Sequence, residues 1–82
     1  MDKLAKAQET LRFAQIALNL EPNMNNKIAY TEAALYVHIL KGARNSGGVA
    51  LEAYERERLK LERTLFNLRA VQQGLQTVSA RH

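Results

Sequence analysis

The 82-residue sequence contains no cysteine, only one proline and four glycines. Without cysteine, neither a disulfide framework nor a thiolate metal site can support the fold. A chain of this length forms one domain and buries only about two-thirds of its unfolded surface. Small domains commonly gain further stability from cross-links, metals or partners. We therefore expect a single small domain over residues 1–82, with a partner as the main remaining source of stability.

Long apolar runs are also missing, and none approaches the length of a transmembrane helix. The opening residues, MDKLAKAQETL, lack the apolar core and small-residue cleavage site of a signal peptide. Hydrophobic residues make up 46% and charged residues 24%, which is typical of a globular rather than a disordered chain. These features predict a soluble, cytoplasmic protein that does not insert into a membrane.

No segment alternates apolar and polar residues with the period of a β-strand, and the apolar spacing is helical. Two breaks interrupt it, EPNMNN at 21–26 and GARNSGG at 42–48. Pro22 lacks an N–H, asparagine favours caps and turns, and glycine favours helix ends. The pattern predicts an all-α fold of three helices, with the last two forming an antiparallel helical hairpin. The predicted helices are Asp2–Leu20, Asn26–Arg44 and Val49–Ser79.

The third segment has a heptad seam at alternating steps of three and four, apolar except for two polar positions, and this pattern predicts coiled-coil-like packing. Its members are Leu51, Tyr54, Arg58, Leu61, Leu65, Leu68, Gln72 and Leu75.

Each predicted helix has more apolar surface than one neighbour covers, because a helix with a single buried face needs only one apolar stripe. We expect the excess to bind a second copy or another protein. For each residue taken singly, a place in the core is an equally good interpretation. The predicted interface residues are Phe13, Ile16, Leu20, Tyr30, Val37, Leu59 and Phe66.

Catalytic and metal-binding patterns are missing from the sequence. A zinc site needs three or four ligands, but His38 has only the terminal His82 as a second histidine. We expect His38 to sit at the edge of a packed helix with one ring nitrogen hydrogen-bonded. The glutamates of the third segment alternate with arginine and lysine, which is typical of a solvated helix face. The sequence therefore predicts a protein that is not an enzyme and uses no cofactor or metal.

The excess of lysine and arginine over acidic residues leaves a second function open. The formal net charge is +4 and the isoelectric point is about 9.8. Arg56, Lys60 and Arg63 follow one another along the third segment at helical spacing. Nucleic-acid-binding proteins cluster such residues on one face, although here acids intervene. A small nucleic-acid-binding or regulatory protein that uses these three residues is the alternative.

Residues 26–75 resemble the small helical-hairpin co-chaperones of type III secretion. The shared features are a helix, an RNSGG turn and a second helix that reads AYERERLKLERTLFNLRAV. The resemblance implies a protein that pairs with a chaperone and keeps another subunit soluble. Two fragments, ALNLEPN and ALEAYERERLKLER, are similar to the ends of tetratricopeptide repeats, but their spacing exceeds that repeat's period.

The composition, the excess apolar faces and the resemblance together favour a non-enzymatic protein-binding module. It would act as an adaptor, co-chaperone or assembly factor that self-associates or forms a hetero-complex.

Overall fold

A computed structural model describes residues 2–44 and 50–74 of the chain. It contains three helices: α1 (Lys3–Leu20), α2 (Met24–Arg44) and α3 (Ala50–Gln72). The described part has no β-strand, and α2 packs against α3. The prediction of an all-α fold with three helices is confirmed. The second predicted break lies mostly in residues 45–49, outside the described residues.

Two asparagines and Pro22 build the turn between α1 and α2. The chain leaves α1 at Glu21, and the N–H of Asn23 donates to the Glu21 carbonyl at 2.8 Å. Asn23 then caps α2, because its side-chain oxygen accepts the N–H of Asn26 at 2.8 Å. The Asn26 side chain donates to the carbonyls of Ala17 at 3.2 Å and Glu21 at 2.8 Å. Helix α2 therefore begins two residues before the predicted start, and Asn26 ties it to α1.

Helix α3 ends at Gln72, and a turn at residues 73–74 interrupts the helix that was predicted to reach Ser79; the last five residues of that prediction lie outside the described residues. The N–H of Gly74 donates to the Val71 carbonyl at 3.0 Å in a closing turn. Gly74 has a φ of 80°, a left-handed conformation that glycine adopts without steric cost and that commonly ends a helix. The last predicted heptad position, Leu75, lies outside the described residues.

Helix α2 is the middle element of a flat layer. It packs against α1 on one side and α3 on the other, whereas no Cα atoms of α1 and α3 lie within 8 Å in the described ranges. The chain measures 46 × 29 × 17 Å along its principal axes. Since both neighbours run antiparallel to α2, α1 and α3 point in the same direction.

The core is small because a single layer has no second layer to cover it. Its buried apolar residues are Ala7 on α1, Ile28 and Val37 on α2, and Leu65 on α3. Thr31 is also buried, and its hydroxyl donates to a backbone carbonyl one turn back. Ile28 and Val37 lie half a turn apart on α2, so the two apolar stripes of this helix point towards different neighbours.

Candidate protein-binding face

The outer side of α1 carries three exposed apolar side chains. Phe13 is 62% exposed, Ile16 48% and Leu20 81%. Their spacing of three and four places them on one side of the helix, about half a turn from Ala7, which is buried. The residue spacing predicted these residues for a protein interface, and all three are exposed.

Helix α3 carries a second exposed pair, also among the predicted interface residues. Leu59 is 54% exposed and Phe66 is 71% exposed, and they stand two turns apart. The neighbouring Leu65 is only 7% exposed because it points towards α2. The pair therefore lies beside the packed seam of α3 rather than within it.

The remaining two predicted interface residues, on α2, are less exposed than those on α1 and α3. Val37 is 5% exposed, so it fills the core and is not available to a partner while this fold persists. Tyr30 is half-buried. Tyr36 and Ile39 are 50% and 38% exposed instead, and sequence analysis did not include them in the interface. No local signal distinguishes them, because exposure on a middle helix depends on where its two neighbours lie.

Side-chain contacts show which of these residues share a face of the layer. Between α1 and α2, Tyr36 lines an open groove together with Lys6 and Thr10. Between α2 and α3, Arg69 forms an ion pair with Glu32, which lies one turn before Tyr36. Residues three, four or seven apart share a helix side. Phe13 therefore follows Lys6 and Thr10 on this face, and Phe66 and Leu59 precede Arg69 on it.

One broad side of the layer thus carries six of the nine large exposed apolar residues of the described ranges, and we call it the apolar face. Its members are Phe13, Leu20, Tyr36, Ile39, Leu59 and Phe66. The other broad side, the polar face, carries mainly exposed polar residues, with Val71 as an apolar exception. Its members include Gln8, Gln15, Lys27, Lys41, Glu57 and Thr64.

His38 contributes to the contact between α2 and α3. Its Nε2 donates a hydrogen bond to the Tyr54 carbonyl at 2.9 Å, and the two rings stack with centroids 4.4 Å apart and planes at 12°. The Tyr54 ring also lies directly over Gly42, one turn after His38. The prediction that one nitrogen of His38 is hydrogen-bonded beside a packed helix is confirmed. In the described part of the chain, no three His, Asp or Glu side chains cluster closely enough to hold a metal.

The basic side chains of α3 divide into paired and unpaired groups. Arg58 binds Glu55 at 2.6 Å and Glu62 at 2.8 Å. The hydrogen bond and the charge of Glu55, together with the charge of Glu62, raise the pKa of Arg58. Arg56 lies 3.9 Å from Glu52, with both side chains strongly exposed. Lys60 and Arg63 form no ion pair within the described residues.

Comparisons of the chain with protein-family models, with curated proteins and with solved structures gave no match. None of the three described helices combines the length and apolar character needed to span a membrane.

Proposed function

We propose that this protein is a non-enzymatic protein-binding module and that its apolar face is the binding surface. The observation that carries the proposal is the exposure of Phe13, Tyr36 and Phe66 on one side of a single layer of helices. Large apolar residues gathered on one face, backed by a polar face, characterise surfaces that bind other proteins. Aromatic side chains are also the residues that most often dominate binding energy at such surfaces.

The thin core supports the same proposal. In the described part of the chain, no large side chain is less than 2% exposed. Burying a large apolar side chain contributes about 1.5–3 kcal/mol. Covering Phe13, Leu20, Leu59 and Phe66 would therefore add stability comparable to that of a small domain, which is about 5–15 kcal/mol. A role as adaptor, co-chaperone or assembly factor follows from such coupling, and the resemblance to type III secretion co-chaperones favours the co-chaperone form.

The test places a photo-crosslinking amino acid at Phe13, Phe66 or Thr64 and irradiates the protein in its native cells. Thr64 is exposed on the polar face of the same helix as Phe66 and serves as the matched control. We expect cross-links to protein from positions 13 and 66 and not from position 64. Absence of protein cross-links at 13 and 66, or equal yields at all three, would contradict the proposal.

A second candidate is nucleic-acid binding, with Arg56, Lys60 and Arg63 as contacts. The observation that favours it is that Lys60 and Arg63 are exposed without an acidic partner among the described residues. A combined Arg56→Gln, Lys60→Gln and Arg63→Gln variant separates the two functions. If nucleic acid is the ligand, this variant binds RNA or DNA more weakly and with a flatter salt dependence. If the apolar face binds protein, the variant retains its cross-links from Phe66.

A further inference from the structure

Helices α1 and α3 present complementary surfaces on the apolar face. Helix α1 offers Phe13 and Leu20, with Lys6 two turns before Phe13 on the same side, and Lys6 forms no ion pair within the described residues. Helix α3 offers Leu59 and Phe66, flanked by Glu55 and Glu62. These two carboxylate side chains remain 45% and 43% exposed after pairing with Arg58, so they can accept further hydrogen bonds.

The two surfaces also lie at matching levels along α2. The hydrogen bond from the Asn26 side chain to the Ala17 carbonyl sets the register of α1 on α2, so Phe13, four residues before Ala17, lies near the level of Tyr30. The hydrogen bond from Gln72 to Asn25 sets the register of α3, so Phe66, six residues before Gln72, lies near the level of Thr31. With a rise of about 1.5 Å per residue, Phe13 and Phe66 lie within roughly one helical turn of the same level.

These two aromatic rings do not meet within one chain. Helix α2 separates α1 from α3, and packed helix axes lie about 8–10 Å apart, so the outer helices are roughly 16–20 Å apart. A second molecule can satisfy both surfaces at once. A two-fold axis parallel to the helices leaves the position of each residue along that axis unchanged. It places α1 of one copy opposite α3 of the other.

We propose that the occupant of the apolar face is a second copy of this chain, related by such a two-fold axis, so that α1 of each copy packs on α3 of the other. This inference rests on the proposed function and names its partner. Phe13 then faces Phe66 of the second copy, and Lys6 lies between the levels of Glu55 and Glu62 of the second copy. Because the contact is isologous, each apolar pair and each charge pair forms twice.

The exposed aromatic side chains supply a large part of the area that a stable dimer requires. With about 200 Å² for a complete aromatic side chain, the exposed fractions of Phe13, Tyr36 and Phe66 leave roughly 370 Å² of aromatic surface. A standard interface buries about 800 Å² on each partner, so these three side chains would supply roughly half of it.

The cysteine-free sequence allows a direct test by disulfide trapping. Single variants Phe13→Cys and Phe66→Cys are oxidised separately and as an equimolar mixture, while sedimentation equilibrium of the unmodified chain measures its mass. We expect a dimer by sedimentation and a disulfide-linked dimer in the mixture but not in either variant alone. A disulfide within one chain is excluded, because each variant carries a single cysteine. The matched control is a mixture of Gln15→Cys and Thr64→Cys on the polar face, which should remain uncoupled.

A charge variant provides a second measurement that does not depend on cysteine. Lys6→Glu should raise the dimer dissociation constant about fivefold, since two exposed contacts are lost at about 0.5 kcal/mol each. Lys27→Glu, on the polar face, should leave the constant unchanged.

A monomer at every concentration would overturn the proposed dimer, as would a disulfide formed by Phe13→Cys with itself. The photo-crosslinking test at position 66 shows whether only the dimer proposal fails or the proposed function fails as well. A monomer that cross-links to a different protein through position 66 overturns only the dimer. A monomer without protein cross-links at positions 13 and 66 overturns both proposals.

Discussion

Helix propensity alone predicts that Gly42→Ala stabilises the protein. The close approach of Tyr54 to Gly42 predicts the opposite, a loss of stability. A Cβ atom added at Gly42 would lie far inside van der Waals distance of Cε2 and Cζ of the Tyr54 ring. Contacts this short require the ring to move. The ring is stacked on His38, and Tyr54 also accepts the hydrogen bond from that side chain, so movement disturbs the contact between α2 and α3.

The magnitude follows from two opposing terms. Replacing glycine by alanine inside a helix stabilises it by up to about 1 kcal/mol. Overpacking costs about 1–3 kcal/mol, and loss of an aromatic stack adds about 0.5–1.5 kcal/mol. Gly42 lies in the last turn of α2, where the favourable term is reduced because helix ends fray. We therefore expect Gly42→Ala to lower the free energy of unfolding by about 1–4 kcal/mol.

The assay is urea unfolding followed by circular dichroism, at one fixed protein concentration because association changes apparent stability. The same substitution is also measured in a Tyr54→Ala background, where the obstructing ring is absent. There Gly42→Ala should become neutral or stabilising. If Gly42→Ala stabilises the chain that retains Tyr54, or if its effect is the same in both backgrounds, the reasoning from the ring contact is refuted.

Two further predictions use the same assay. Leu65→Ala should lower the free energy of unfolding by about 2–3 kcal/mol because Leu65 is 7% exposed. Its neighbour Phe66 is 71% exposed, so Phe66→Ala should cost less than about 0.5 kcal/mol at dilutions where the chain is monomeric. Equal losses from the two substitutions would contradict the described packing of α3. Asn26→Ala should cost about 1–2 kcal/mol, because it leaves the carbonyls of Ala17 and Glu21 without their side-chain donor. Asn26→Asp should cost more, because a carboxylate at this position faces two carbonyl oxygens and cannot donate to them. An aspartate variant as stable as the unmodified protein would contradict the two hydrogen bonds of Asn26.

Sequence alone predicted the helices because their limits depend on nearby residues. Pro22 and the following asparagines interrupt the helical spacing wherever the rest of the chain lies. The exact start of α2 was less accessible, since both Asn23 and Asn26 are suitable caps. The structure assigns the cap to Asn23 and uses Asn26 to bind α1. The end of α3 was missed because the heptad spacing continues past Gly74, whose left-handed conformation interrupts the helix.

Sequence by itself also determined that this chain has more apolar surface than three helices need, because the apolar stripes are a property of residue spacing. Only the tertiary structure decided which stripes remain uncovered. Val37 and Phe13 occupy equivalent second stripes in the sequence, yet Val37 is 5% exposed and Phe13 is 62% exposed. The difference arises because α2 lies between two helices whereas α1 has one neighbour. Residue spacing fixes the sides of each helix, but the order of helices in the layer fixes which sides meet water.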